Sequence, residues 1–105
     1  MEGLVILKPI FIIPFKAKAW LDLTDKRNRG MNVDEKDIRK HKNDIARLAM
    51  VLDGNDSILL PEEVRKDLDV FLSQYEREPA DLKNLQIKDT VNAEIIRRLR
   101  DVYHL

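Results

Sequence analysis

Charged side chains interrupt the apolar faces of two consecutive predicted helices. Lys16 lies between Trp20 and Leu23 on the projected face of the first helix, and Asp44 borders the apolar stripe of the second. A lysine in a cleft can hold an anion such as phosphate, and a neighbouring aspartate is its natural partner. A lysine near a helix end can equally cover apolar surface with its stem while its ammonium reaches water. The sequence leaves both interpretations of Lys16 open.

The second predicted helix also carries a histidine between two acids. Asp37, His41 and Asp44 lie on one side of that helix because they are spaced by four and three residues. A His-x-x-Asp pair supplies only two metal ligands, and the sequence has no cysteine and only one other histidine. We therefore predict no metal site and a satisfied, half-buried histidine at a helix–helix contact. An acid–base role for Asp44 or Lys40 would need chemistry supplied from elsewhere.

Two further acidic patterns resemble metal sites only in spacing. Asp67 and Asp69 have the Asp-x-Asp spacing, but they fall in a predicted helix, where residues two apart point about 200° away from each other. The stretch from Asp53 to Ser57 is rich in calcium-ligand types. It lacks the glycine and the acid that an EF-hand loop needs at its sixth and twelfth positions, where Ile58 and Val64 stand. Both patterns are predicted to be solvated surface.

Composition narrows the classes of protein that this chain can represent. Its 105 residues form one domain, and 19 basic residues balance 19 acidic ones. A net charge of zero produces no overall electrostatic field that would attract nucleic acid. Nucleic acid remains a candidate partner only through the basic residues that are interleaved with acids on the predicted helices. The lack of cysteine excludes disulfides and fits a cytoplasmic location. The apolar run from Leu4 to Phe15 is too short and too interrupted for a membrane span or a signal peptide.

The pattern along the chain predicts a mainly α fold, a small bundle of four helices with a short extended N-terminal segment. Residues 1–13 form the extended segment, in two β-branched runs separated by Pro9, and residues 14–105 form the bundle. The first helix starts at Pro14 and runs over about residues 15–27, followed by helices from Asp34, from Pro61, and from residue 89 or 90. Residues 80–86 are predicted to contain a short helical turn. A lone strand lacks a pairing partner, so residues 4–13 are a candidate docking segment for a second copy or another chain.

Residues 12–23 and 33–45 carry a resemblance to a known family. They are similar to the C-terminal half of bacterial AbiEii/AbiGii-type nucleotidyltransferases, which belong to toxin–antitoxin and abortive-infection systems. In that family an N-terminal sheet carries a Gly-Ser turn and an Asp-x-Asp metal pair. A helical C-terminal half supplies a lysine in a K-x-x-A helix and an aspartate in the next helix. The resemblance covers about residues 4–52, and the rest follows only as a helical continuation.

The resemblance implies nucleotide-binding roles for Lys16, Lys40 and Asp44 and assigns no catalytic residue. The sequence contains no Gly-Ser turn and no strand-borne Asp-x-Asp pair, which two-metal nucleotidyl transfer requires. We therefore expect the chain by itself to be inactive, with Mg²⁺ and a nucleoside triphosphate bound only if a catalytic domain is supplied. The resulting interpretation is a non-catalytic accessory domain that contributes half of a nucleotide cleft. The alternative is a small helical interaction or dimerisation module with no nucleotide role.

Overall fold

The computed structural model describes residues 8–105, and every regular element in this range is a helix. The four helices are α1 (Pro9–Asn28), α2 (Glu35–Met50), α3 (Glu62–Arg77) and α4 (Asn92–Tyr103). α1 packs against both α2 and α3, and α4 packs against the same two helices. The predicted four-helix, mainly α architecture is confirmed.

The core draws buried side chains from all four helices. The rings of Trp20 on α1 and Phe71 on α3 meet edge to face, with centroids 5.2 Å apart, and Phe71 in turn contacts Tyr75. Most of this core comes from one buried apolar face on each of α2, α3 and α4. The fully buried large side chains are Ile13, Ile45, Leu68, Phe71, Leu72, Tyr75, Ile95, Leu99 and Tyr103. Val91 precedes the first turn of α4 and remains 59% exposed.

The N-terminal part of α1 corrects the prediction of an extended segment. Residues 9–13 are helical, with Pro9 rather than Pro14 in the first helical turn. Ile10 and Ile13 are buried on the same face as Ala17, a spacing that favours a helix over a strand. Residues 9–13 therefore offer no strand for pairing with another chain. The other half of the predicted segment, residues 1–7, lies outside the described residues.

A tyrosine of the last helix compensates for the proline inside the first. Pro14 has no N–H to donate to the carbonyl of Ile10, which is the acceptor four residues earlier in the helix. The hydroxyl of Tyr103 donates to this carbonyl at 2.8 Å, in a buried hydrogen bond. Burial raises the pKa of Tyr103, with the charge of Asp56 as a further cause, so the hydroxyl retains its proton. α1 can thus continue through Pro14 without leaving a buried carbonyl unsatisfied.

The starts of the other helices follow local chemistry. The Asp34 carboxylate accepts a hydrogen bond from the Lys36 N–H at 2.9 Å and caps α2 as predicted. α3 begins after Pro61, also as predicted. α4 begins later than residue 89 or 90, because Asp89 has a left-handed backbone with φ of 66°. Residues 82–86 form a turn, in keeping with the predicted short helical turn, and the Leu85 N–H donates to the Asp81 carbonyl at 3.1 Å as in a helix.

Replacing Tyr103 with phenylalanine removes the donor for the Ile10 carbonyl. We expect a loss of about 1–3 kcal/mol in the free energy of unfolding, the typical penalty for a buried unsatisfied polar group. Urea denaturation of Y103F and of the wild-type chain measures this loss.

Pro14→Ala provides the matched test, because alanine restores the missing N–H. We expect Y103F to destabilise the P14A chain less than it destabilises the wild-type chain. An equal loss in both backgrounds would show that Tyr103 does not compensate for the proline.

Candidate functional site

The contact between α1 and α2 contains a cluster of charged side chains. The Lys16 ammonium of α1 donates to Oδ2 of Asp44 at 3.0 Å, across 28 residues of sequence. Lys40 lies one turn before Asp44 on α2, and its ammonium is 3.7 Å from the same oxygen. The structure therefore brings together the three residues that the resemblance selects. Their role in nucleotide binding stays a prediction.

Burial distinguishes the two lysines of this cluster. The side chains of Lys16 and Asp44 are only 26% and 22% exposed, whereas that of Lys40 is 69% exposed. Lys16 thus has its charge neutralised at the helix contact, and Lys40 can reach a ligand in solvent. Two ammonium groups and one carboxylate leave the cluster with one net positive charge, suited to an anion. The Asp44 carboxylate accepts a hydrogen bond from Lys16 of α1 and attracts the ammonium of Lys40 on its own helix as an ion pair.

His41 is adjacent to this cluster and is held neutral. Its pKa is lowered first by burial and then by the positive charge of Lys16, while the carboxylate of Asp44 opposes the shift. The ring is half-buried at the helix contact, as predicted. The expectation that it is satisfied is wrong for Nδ1, which is buried and has no hydrogen-bond partner. This orphaned nitrogen is a polar atom that the fold itself does not use.

The two acidic patterns of the sequence do not converge into a site. Oδ2 of Asp67 lies 3.7 Å from the Lys18 ammonium, whereas Oδ1 of Asp69 lies 2.8 Å from the Arg100 guanidinium. The prediction that these two carboxylates diverge is confirmed. Within residues 8–105 no group of three or more histidine, cysteine or acidic side chains could hold a metal ion.

The loop between α2 and α3 uses its acids to close its own turns. Oδ1 of Asp53 accepts from the Asn55 N–H at 3.1 Å, and Oδ2 of Asp56 accepts from the Asp53 N–H at 2.6 Å. These carboxylates thus act as local turn acceptors, in keeping with the predicted surface loop.

A serine–histidine contact joins this loop to the C-terminus. Ser57 Oγ and His104 Nε2 are 2.6 Å apart, and the Arg65 guanidinium donates to the His104 carbonyl at 2.9 Å. Sequence reasoning missed this contact because the two residues are 47 positions apart and form no motif. In the described part of the chain no carboxylate pairs with His104, so the contact lacks the orienting acid of a catalytic triad. It serves to hold the loop against the end of α4.

A groove of about 490 Å³ runs between α1 and the start of α3, and we call it the α1–α3 groove. Two phenylalanines of α1, Phe11 and Phe15, line one wall and are 44% and 72% exposed. The sequence contained a signal for this groove, because Phe11 and Phe15 lie one helical turn apart and away from the buried face of α1. The predicted start at Pro14 obscured that signal. The residues lining the groove are Phe11, Pro14, Phe15, Lys18, Leu60, Glu63, Val64 and Asp67.

Comparison of the chain with protein-family models, curated proteins and solved structures finds no significant match in any of the three. Among the helices of residues 8–105, none combines the length and the apolar character that crossing a membrane requires.

The lowered pKa of His41 predicts a specific loss of stability in mild acid. The unfolded chain binds a proton at the ordinary histidine pKa of 6.5, and the folded chain binds it less readily. His41 therefore favours the folded state above pH 6.5, and this contribution is lost as the pH falls below 6.5. Urea denaturation between pH 7.5 and 5 measures the effect.

We expect His41→Gln to reduce this dependence of stability on pH. An unchanged dependence in H41Q would contradict the account of His41.

Proposed function

We propose that this chain is a non-catalytic helical accessory domain that contributes half of a nucleotide cleft, like the C-terminal part of the nucleotidyltransferases that it resembles. The observation that carries the proposal is the convergence of Lys16 and Lys40 on one oxygen of Asp44. The resemblance selects these residues from two separate segments of sequence. Their meeting at one helix contact supports a shared role, although a simple structural ion pair would also bring Lys16 to Asp44.

The chemistry of the cluster suits the phosphate end of a nucleotide. The exposed ammonium of Lys40 can contact a phosphate oxygen directly, whereas that of Lys16 can do so by sharing or exchanging its contact with Asp44. A carboxylate at this position keeps the two ammonium groups oriented and can accept a hydrogen bond from a sugar hydroxyl.

In this proposal the metal ions and their carboxylate ligands come from a catalytic domain. The chain contributes binding and orientation, and Mg²⁺ with a nucleoside triphosphate completes the cleft only when that domain is present. The setting that the resemblance implies is a cytoplasmic toxin–antitoxin or phage-defence system.

A titration with GTP and with ATP, followed by amide chemical shifts in ¹⁵N-labelled protein, tests the nucleotide role. We expect weak binding, about millimolar, with shifts centred on Lys16, Lys40 and Asp44 because their charges attract the phosphates. Lys16→Met should reduce these shifts.

Lys18→Met is the matched control, because Lys18 is on the same helix and pairs with Asp22 and Asp67 instead. It should bind nucleotide as the wild-type chain does. Shifts that are absent, or equal in K16M and the wild-type chain, would contradict the proposal.

The non-catalytic part of the proposal has its own test. Incubation of the purified chain with Mg²⁺ and a labelled nucleoside triphosphate should transfer no label to RNA or protein. Transfer of label that co-purifies with the chain through successive purification steps would contradict the non-catalytic part of the proposal.

A second candidate function is that of a helical interaction module, and the exposed phenylalanines of α1 favour it. Contiguous exposed apolar side chains on a small protein commonly mark a contact surface. Phe11 belongs to the segment 4–13 selected from sequence, and Phe15 adjoins it.

A chain lacking residues 1–7 tests the contribution of the apolar residues 4–7 to such association. The truncation leaves Ile10 and Ile13 in the core. Sedimentation velocity should detect weaker association than in the full chain. Unchanged association would exclude residues 4–7 from the contact surface.

A further inference from the structure

His41 lies within the charged cluster, between Lys40 and Asp44 on α2. Four charged groups act on its ring: Lys16 from α1, and Asp37, Lys40 and Asp44 from α2 itself. Asp37 is exposed and affects His41 least of the four. The immediate electrostatic surroundings of the ring are therefore the same two ammonium groups and one carboxylate that form the candidate site.

The charged side chains that join α2 to α3 and α4 do not act on this ring. Lys42 donates to the Glu78 carbonyl at the end of α3, at 3.1 Å, and Arg98 of α4 donates to the Ala49 carbonyl at 3.2 Å. Neither cation is among the groups that shift the pKa of His41. The protonation of His41 is thus linked to the cluster and to little else in the described residues.

The buried Nδ1 of His41 is the atom at which a proton would change the site. A protonated imidazole donates from both of its nitrogens. Nδ1 has no partner in the neutral state, so protonation creates a buried donor that requires an acceptor. Asp44 can serve, because both lysine contacts fall on its Oδ2 and a carboxylate accepts more than two hydrogen bonds. A contact with the protonated ring would draw on the negative charge that now neutralises Lys16, and would leave both ammonium groups freer to meet an external anion.

Protonation also matches the charge of the site to that of a phosphate group. Lys16, Lys40 and Asp44 together carry one net positive charge, and a protonated His41 raises it to two. A phosphate group in a monoester carries about −1.5 to −2 charges at pH 7. The cluster alone neutralises such a group only in part, whereas the cluster with a protonated His41 neutralises it fully.

The electrostatic coupling acts in both directions. The charge of Lys16 opposes protonation of His41, and the charge of Lys40 adds to this effect. An anion held by the two ammonium groups offsets their charge and therefore favours the proton on His41. Because coupling between two sites is reciprocal, the proton on His41 strengthens anion binding by the same factor.

We propose that Lys16 and Lys40 bind a dianionic phosphate group together with a proton on His41, so that the affinity of the site for its ligand rises as the pH falls. This proposal rests on the proposed nucleotide role and names the part of the ligand that the cluster recognises, a terminal phosphate group. His41 is a positioning residue, because its protonated ring acts through Asp44 rather than on the ligand.

A sulfate titration of the ¹⁵N-labelled full chain at pH 7.5 and at pH 5 tests the proposal. Sulfate stays a dianion over this range, whereas a phosphate group changes its own charge there. Sodium chloride keeps the ionic strength constant, and amide chemical shifts near Lys16 and Lys40 report binding. We expect the affinity at pH 5 to be about fivefold higher or more, the lower end of typical coupling between two sites.

His41→Gln should bind sulfate at pH 7.5 but show no gain in affinity at pH 5, because the variant cannot take up the proton. Lys18→Met is the matched control and should keep the gain, because Lys18 pairs with Asp22 and Asp67 outside the cluster. The proposal is overturned if the wild-type chain binds sulfate at neither pH or equally at both. A gain in affinity that persists in H41Q also overturns it.

The titration of the His41 ring, followed by its carbon-bound protons, measures the same coupling from the other side. Saturating sulfate should raise the pKa of His41 by the factor by which acid raises the affinity for sulfate. Lys16→Met should raise the pKa of His41 without sulfate, because it removes the opposing charge. A ring titration that is identical with and without sulfate would contradict the coupling.

The GTP titration at pH 7.5 separates this proposal from the one on which it rests. If GTP binds at the cluster but sulfate binding is independent of pH, the proposed function stands and the proton linkage fails. If sulfate binds more tightly in acid but GTP shifts no resonance, the proton-linked anion site stands and the nucleotide role fails.

Discussion

The hydrogen bond from Tyr103 to the carbonyl of Ile10 is the contact on which the arrangement of this molecule depends. A proline inside α1 deprives this carbonyl of its helical donor, and burial excludes water as a substitute. The last helix supplies the donor instead, so the first turn of α1 is fixed by a residue 93 positions away. Because α1 and α4 both contact α2 and α3, this hydrogen bond links the two helices that share the same neighbours.

Three sides of α1 then have three different roles. One side buries Ile10 and Ile13 in the core, another presents Lys16 to Asp44 of α2, and a third exposes Phe11 and Phe15 beside α3. If α1 began at Pro14, Ile10 and Ile13 would not belong to its buried face, and the groove would lack Phe11. Continuity through Pro14 is thus the common condition for the burial of Ile10 and Ile13 and for the presence of Phe11 in the α1–α3 groove.

Sequence patterns predicted α2, α3 and α4 because each has a single apolar stripe, and α2 and α3 also have recognisable start signals. The acidic cap at Asp34 and the stripe from Leu68 to Tyr75 are local features and can be recognised without a structure. The beginning of α1 was predicted wrongly because it is apolar on several sides and β-branched, so that helix and strand patterns overlap. The helical start is accompanied by the hydrogen bond from Tyr103 to the Ile10 carbonyl, a contact that no local pattern contains.

The sequence also predicted part of the candidate site. The resemblance selected Lys16, Lys40 and Asp44, and the structure brings them together. The orphaned Nδ1 of His41 and the contact between Ser57 and His104 were not predictable, because each depends on how distant elements pack.

The most direct measurement of the central claim is the backbone conformation of residues 10–13 in solution. Carbon-13 chemical shifts of the α-carbons report helix or strand residue by residue in the labelled full-length chain. The account predicts helical shifts throughout Ile10–Ile13, together with nuclear Overhauser contacts between the Tyr103 ring and Ile10. Strand-like shifts at these residues, with no contact to Tyr103, would contradict it.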